Sequence, residues 1–229
     1  SESKAIFGSD AVTPAFDPVG IDQVFRFWST VSPRTVFQNI LELPPGHWVR
    51  VSADGIQLKR YWQLQFAGAN SQDANPGEPF IQKRAEEFRA LLTDAVRIRL
   101  RADVPVAAYL SGGLDSSVIA ALARETAPRQ LNTFSISFSG PEFDESEFQQ
   151  RMARHLGTRH EVVHATHKDI GSVFPEVVWH CETPILRTSP APMFLLSPLV
   201  RSRNFKVVLT GEGADEILGG YDIFKEDKI

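Results

Sequence analysis

Few folds accommodate the stretch from Val104 to Ser117, Val-Pro-Val-Ala-Ala-Tyr-Leu-Ser-Gly-Gly-Leu-Asp-Ser-Ser. It reads as a buried strand, a glycine turn and the first turn of a helix that runs to about Thr126. A strand that passes into a helix in this way collects unpaired backbone N–H groups at the positive end of the helix, and that is an anion site. Gly112 and Gly113 permit positive φ and let a phosphate approach the main chain. Ser111, Ser116 and Ser117 add hydroxyl donors. Asp115 does not fit a bare anion site, because a carboxylate repels phosphate unless a divalent cation lies between them. The plain alternative is an ordinary Ser/Gly-rich turn between strand and helix. The stretch is not a Walker A sequence: no Gly-Lys-Ser/Thr follows, so no lysine reaches a γ-phosphate.

The rest of the chain alternates. Strands are predicted at 132–138, 159–164 and 206–210, with helices at 146–156, 168–180 and 193–202 and a C-cap at Gly157. Such alternation predicts an α/β fold, a parallel sheet with helices on both faces, which binds ligands at the carboxyl ends of its strands. Before it, Ile81, Ala85, Phe88, Leu92, Ala95 and Ile98 recur at helical spacing and predict one face of a long amphipathic helix. Its other face carries Lys83, Arg84, Glu86, Arg89 and Arg97 and reads as solvated, the alternative being that its basic residues guide a nucleotide. Residues 67–79, small and polar, read as a linker. Residues 1–66 hold short apolar runs and one hairpin signal, Asp54-Gly55 between 48–51 and 57–62, as in a piece of a β-rich domain.

A net charge of −4 with no dense Lys/Arg block gives no nucleic-acid-binding face. No apolar run reaches the ~20 residues that cross a bilayer, no secretory pattern is present, and the single Cys181 cannot form an internal disulfide. The expected compartment is the cytoplasm. Cys181 and His180 read as a buried thiol and a helix-end imidazole, and the spacing of His155, His160, His164 and His167 is not that of a zinc site.

A second glycine motif follows the last predicted strand: Thr210-Gly211-Glu212-Gly213-Ala214-Asp215-Glu216, continuing to Gly219-Gly220-Tyr221. A dinucleotide fingerprint needs Gly or Ala where Glu216 stands, and three acids would crowd a metal-free pyrophosphate. An acidic helix N-terminus accounts for Asp215 and Glu216 but not for the framing glycines.

The first loop resembles the pyrophosphate-binding SGGxDS loop of the ATP pyrophosphatases, and with the second motif the chain is similar to the glutamine-dependent asparagine synthetases. The resemblance implies an adenine nucleotide alpha hydrolase-like fold over 80–229, a linker at 67–79, and at 1–66 the end of a class II glutamine amidotransferase domain, carried by 1–4, 33–37, 43–46 and 61–62. It also implies that Ser111, Gly112, Gly113, Asp115 and Ser116 hold pyrophosphate, and that Leu110, Ile136, Thr210 and Gly211 line an adenosine pocket largely through backbone groups. Asp115 and Asp215 would share Mg²⁺. Glu212 is the candidate general base for ammonia attack on an acyl-adenylate, or else a residue that positions backbone or metal.

Glu182–Met193 resembles the family's substrate segment, in which Arg187 would pair with a substrate carboxylate. Phe143-Asp144-Glu145-Ser146 resembles its helix opening, with Asp144 near the nucleotide or acting as a cap. The implied reaction joins ammonia from glutamine to aspartate with ATP and Mg²⁺. Its partners are small molecules, with no nucleic acid and no membrane, and a homodimer stays open. The family's N-terminal cysteine nucleophile is absent, since residue 1 is Ser, and its later lysine would fall beyond Ile229. The sequence is therefore expected to be a fragment with little activity alone. Rival readings keep the fold: a β-lactam synthetase-like or peptide-cyclising ligase, an amidotransferase acting on surface polysaccharide, or a non-catalytic nucleotide-binding protein.

Overall fold

Residues 2–65, 77–127, 130–140 and 144–222 are described by a computed structural model of the chain. The expected linker, 67–79, lies outside these residues as far as 76, and Phe143 lies outside them too. Two compact units form: Ser1–Asn75 with Phe174–Thr188, and Pro76–Val173 with Ser189–Ile229.

In the first unit two helices precede a hairpin. Helix α1 covers Ser3–Phe7 and α2 covers Pro18–Phe27. Asp17 starts α2 by accepting the Val19 N–H at 3.0 Å, and Pro18 at the first helical position gives up no hydrogen bond. Strands β1 (His47–Ser52) and β2 (Gly55–Arg60) pair antiparallel from His47–Arg60 to Ser52–Gly55. The turn is therefore Ala53-Asp54, one residue earlier than expected, and Gly55 opens β2 at φ +121°.

The second unit begins with α3 (Glu78–Arg99). The expected apolar face is corrected here. Val96 is buried, with Leu92 and Leu100 packed on the core, whereas Ile81, Phe88 and Ile98 are exposed. At 1.5 Å per residue this helix is about 33 Å long. It outruns the 13-residue α4 on which its second half lies.

The alternation expected after α3 is present: β3 (Val106–Tyr109), α4 (Leu114–Thr126), β4 (Asn132–Phe138), α5 (Ser146–Leu156) and β5 (Arg159–Ala165). Then come α6 (His167–Cys181), α7 (Pro190–Ser202), β6 (Val207–Leu209) and α8 (Ala214–Leu218). From Phe174 onwards α6 belongs to the first unit, and Pro175 stands beside that division. Gly157 ends α5 at φ +63°, in the left-handed conformation expected of a C-cap glycine.

All four strands β3–β6 run parallel in the order β5-β4-β3-β6. The chain moves outward from β3 to β5 and then returns to the other side of β3. Right-handed crossovers in opposite directions put helices on opposite faces. Ala108, Leu110 and Leu209 thus meet α3, α4 and α5 through Val96, Ala120, Ala123 and Ala153. Ala107 and Phe134 meet Leu196 and Val200 of α7 on the other face. Alanine on both sides of β3, with Ala120 and Ala123 opposite and fully buried, lets α4 lie close to the sheet.

Candidate active site

The strand order reverses between β3 and β6, and loops leaving a sheet at such a point diverge to form a crevice at the carboxyl ends. Both glycine motifs leave the sheet there. Gly112 has φ +94°, where a side chain would be strained, and a β-carbon on it would stand 3.1 Å from Phe148 Cβ. Gly211 touches the other loop directly. A β-carbon there would lie 2.7 Å from the Ser116 backbone N and 2.9 Å from Asp115 Cβ. Ser111, Gly112, Gly113, Asp115, Ser116, Thr210 and Gly211 are therefore gathered around the first turn of α4, whose leading N–H groups have no partner inside the helix.

The first loop is braced by its own serines. Ser116 Oγ accepts the Ser111 N–H at 3.1 Å, Ser111 Oγ accepts the Gly113 N–H at 3.2 Å, and the two hydroxyl oxygens are 2.8 Å apart. With Ser116 donating inside the loop, the Ser111 hydroxyl proton can turn towards an anion. Leu110 is buried with both backbone groups engaged: its N–H donates to Phe134 C=O at 3.0 Å, and its C=O accepts from Ser135 Oγ. Ile136 C=O accepts from the Gln149 side chain at 3.0 Å.

The second loop ends at Gly213, at φ +90°, where α8 begins. Glu212 is exposed on it, while Asp215 is half-buried with a carboxylate oxygen against Gly220. Glu216 accepts a 2.8 Å hydrogen bond from Tyr221 Oη, and that carboxylate, aided by desolvation and by the charges of Asp215 and Glu212, raises the phenol's pKa. Among the described residues no three His, Cys, Asp or Glu side chains gather as a metal cage. A hard cation suits Asp115 and Asp215 chemically, and phosphate oxygens would have to complete its shell.

The chain is similar to known proteins. The asparagine synthase family model matches residues 87–229, more than half of the chain, and the model of the glutamine amidotransferase domain matches residues 1–62. The chain belongs to the asparagine synthase family. A putative glutamine-hydrolysing asparagine synthetase of Mycobacterium bovis is 36% identical over 85% of this chain and 29% of its own length. The amidase chyE of Penicillium rubens is 34% identical over 91% of this chain and 32% of its own. The chain thus spans about a third of the length of these curated relatives. The glutamine-dependent NAD⁺ synthetase of Acinetobacter baumannii, solved with ADP, superposes with a TM-score of 0.43 at 22% identity, over 59% of this chain and 27% of that one.

In this asparagine synthase family chain the other expected residues are placed as follows. Arg187 lies in the first unit, with its guanidinium 4.0 Å above the Trp28 ring. Asp144 accepts from Ser146 N–H at 3.1 Å and from Ser146 Oγ at 3.0 Å, an Asx turn just ahead of α5, whose N-cap position is held by Glu145 and not by Asp144. Cys181 is half-buried rather than buried, and His180 lies in the last turn of α6. His160 Nδ1 is 3.0 Å from Thr133 Oγ1, and burial lowers its pKa. His164 lies between Ser137 and Ser139 at 3.0 and 3.3 Å. Sequence reasoning missed Ser135 and Gln149. Gln149 had a readable signal, a polar residue in the apolar row that continues through Met152, Ala153 and Leu156.

Proposed function

We propose that the protein activates a carboxylic acid with ATP and transfers ammonia to it, with aspartate as acceptor and asparagine as product. The contact of Gly211 with the first turn of α4 carries this reading, because it joins the two family motifs in one crevice. The acceptor carboxylate attacks the α-phosphate of ATP and pyrophosphate leaves; ammonia then attacks the acyl carbon, displacing AMP. Ser111, Gly112, Gly113, Asp115 and Ser116 would hold the pyrophosphate, with α4's leading N–H groups taking up its charge. Leu110, Ile136, Thr210 and Gly211 would border the adenosine. Mg²⁺ held by Asp115 and Asp215 together with phosphate oxygens would neutralise the triphosphate. Glu212, exposed beside this turn, would take the surplus proton of the attacking ammonia.

Arg187 is the proposed partner of the acceptor carboxylate. A guanidinium stacked on an indole keeps edge N–H groups for a bidentate pair. In this proposal residues 1–66 close a glutaminase domain that supplies ammonia, 67–79 link it to the synthetase domain at 80–229, and the protein works in the cytoplasm. Among the described residues no helix is long and apolar enough to cross a membrane.

A second reading keeps the chemistry and changes the acceptor, and the likeness to a fungal amidase at a similar identity favours it. The deciding experiment supplies the full-length protein with ATP, Mg²⁺, ammonia and aspartate and follows pyrophosphate and asparagine. Equal amounts of the two support the first reading. Pyrophosphate only with another carboxylic acid moves the acceptor, and ADP with phosphate in place of pyrophosphate refutes both.

A further inference from the structure

Gln149 is 3% exposed, in the row of α5 that faces the core. Burying a primary amide is costly for each of its groups left unpaired. Both side-chain donors are used: Nε2 donates to Ser111 C=O at 3.2 Å and to Ile136 C=O at 3.0 Å. Oε1 is buried and finds no hydrogen-bond partner among the described residues. Turning the amide over would set Oε1 against two carbonyl oxygens, so the orientation is dictated by its neighbours. The side chain thus keeps two donors in place while its acceptor has no partner among the described residues, which a residue chosen only to fill the core would not do.

Those two carbonyls belong to different parts of the crevice. Ser111 C=O is in the first peptide of the glycine loop, and Ile136 C=O is in the second half of β4. In a trans peptide the C=O and the following N–H point in opposite directions. Holding Ser111 C=O towards α5 therefore turns the Gly112 N–H away from it. The fit between loop and helix is close, since a β-carbon on Gly112 would come 3.2 Å from Glu145 C=O and 3.3 Å from Gln149 N.

We infer that Gln149 is a positioning residue for the phosphate loop: its amide sets the plane of the Ser111–Gly112 peptide and so the direction in which the Gly112 N–H is presented to the anion. The inference rests on the reading of residues 111–116 as a phosphate-binding loop.

Calorimetric titration of the full-length protein with ATP and Mg²⁺ reports the number of sites and Kd separately. In Gln149→Leu the number of sites stays as in the parent and Kd rises about tenfold, the effect of losing one to two hydrogen bonds. Fewer sites at an unchanged Kd would mean that the amide only supports folding, and an unchanged Kd at full occupancy would overturn the inference outright. Should Gln149→Leu fail to fold, Gln149→Glu carries the test. A carboxylate there has no donor, while its protonated form regains one O–H. The ratio of its Kd to the parent's then grows as pH rises from about 5 to 8 through the titration of a buried carboxyl. A ratio independent of pH refutes the role. A parent protein that does not bind ATP at all refutes the phosphate-loop reading itself, whereas a binding parent matched by both variants refutes only the role of Gln149.

Discussion

Gly211 lies against Ser116 so closely that a β-carbon on the glycine would stand 2.7 Å from the serine's backbone nitrogen. The atoms in the way are main chain and cannot swing aside. Gly211→Ala must therefore part the two loops, at about 1–3 kcal/mol for such overpacking. Gly113→Ala is the control: its φ of −74° suits any residue, and its nearest neighbour is the Ser111 hydroxyl at 3.4 Å. Thermal melting and ATP titration should show Gly211→Ala impaired in both and Gly113→Ala close to the parent in stability. Equal melting temperatures for the two variants would mean that the loops are not in contact.

Glu182 anchors the start of α1. Its carboxylate accepts from Ser3 N–H at 2.6 Å, Lys4 N–H at 2.8 Å and Lys4 Nζ at 3.0 Å. Burial alone would raise its pKa; the Lys4 and Ser3 donors outweigh that and hold it down at about 2. A carboxyl depressed in the folded state stabilises in full above its unfolded value of 4.5 and loses that contribution as pH falls towards 2. Melting temperatures of the parent and Glu182→Gln should differ most at neutral pH and converge between pH 4.5 and 2. A gap that stays constant over that window would contradict the ion pair.

Local features of the chain were the legible ones. The strand–SGG–helix turn and the Thr210–Glu216 motif announce themselves because each needs only neighbouring residues, and the alternation that predicts a parallel sheet is local too. Contacts between distant residues were not legible. Gln149 meets Ser111 across 38 positions and Glu182 meets Ser3 across 179, and neither spacing leaves a periodic trace. On α3 the pattern showed an apolar row but not how much of it would find a neighbour, so Ile81 and Phe88 were expected inside and lie exposed. Arg187 shows a further limit. A motif names the residue, and only coordinates show its guanidinium over Trp28.

Asp115 and Asp215 are proposed to share one cation, and their variants separate that role from packing. Asp115→Asn and Asp215→Asn keep the side-chain volume and remove the charge. Each should raise the Mg²⁺ concentration that gives half-maximal pyrophosphate release about tenfold or more, because one of the two proposed carboxylate ligands has lost its charge. ATP binding without metal should not weaken, because a carboxylate that repels phosphate has been removed. Unchanged Mg²⁺ dependence in both variants would assign the cation to other groups.

Glu212 is exposed on a loop flanked by Gly211 and Gly213, so little packing depends on its side chain. If it takes the proton of the attacking ammonia, only the second half of the reaction needs it. Acceptor-dependent exchange of labelled pyrophosphate into ATP reports the first half, and amide formation reports the sum. In Glu212→Gln the exchange should persist near the parent rate while amide formation falls about 10²–10⁴-fold, the usual range for a general base. The residual rate should climb as pH is raised, since hydroxide and free amine then replace the missing base. Loss of exchange and amide formation in equal measure would instead place Glu212 at the nucleotide or its metal, where it would act before ammonia arrives.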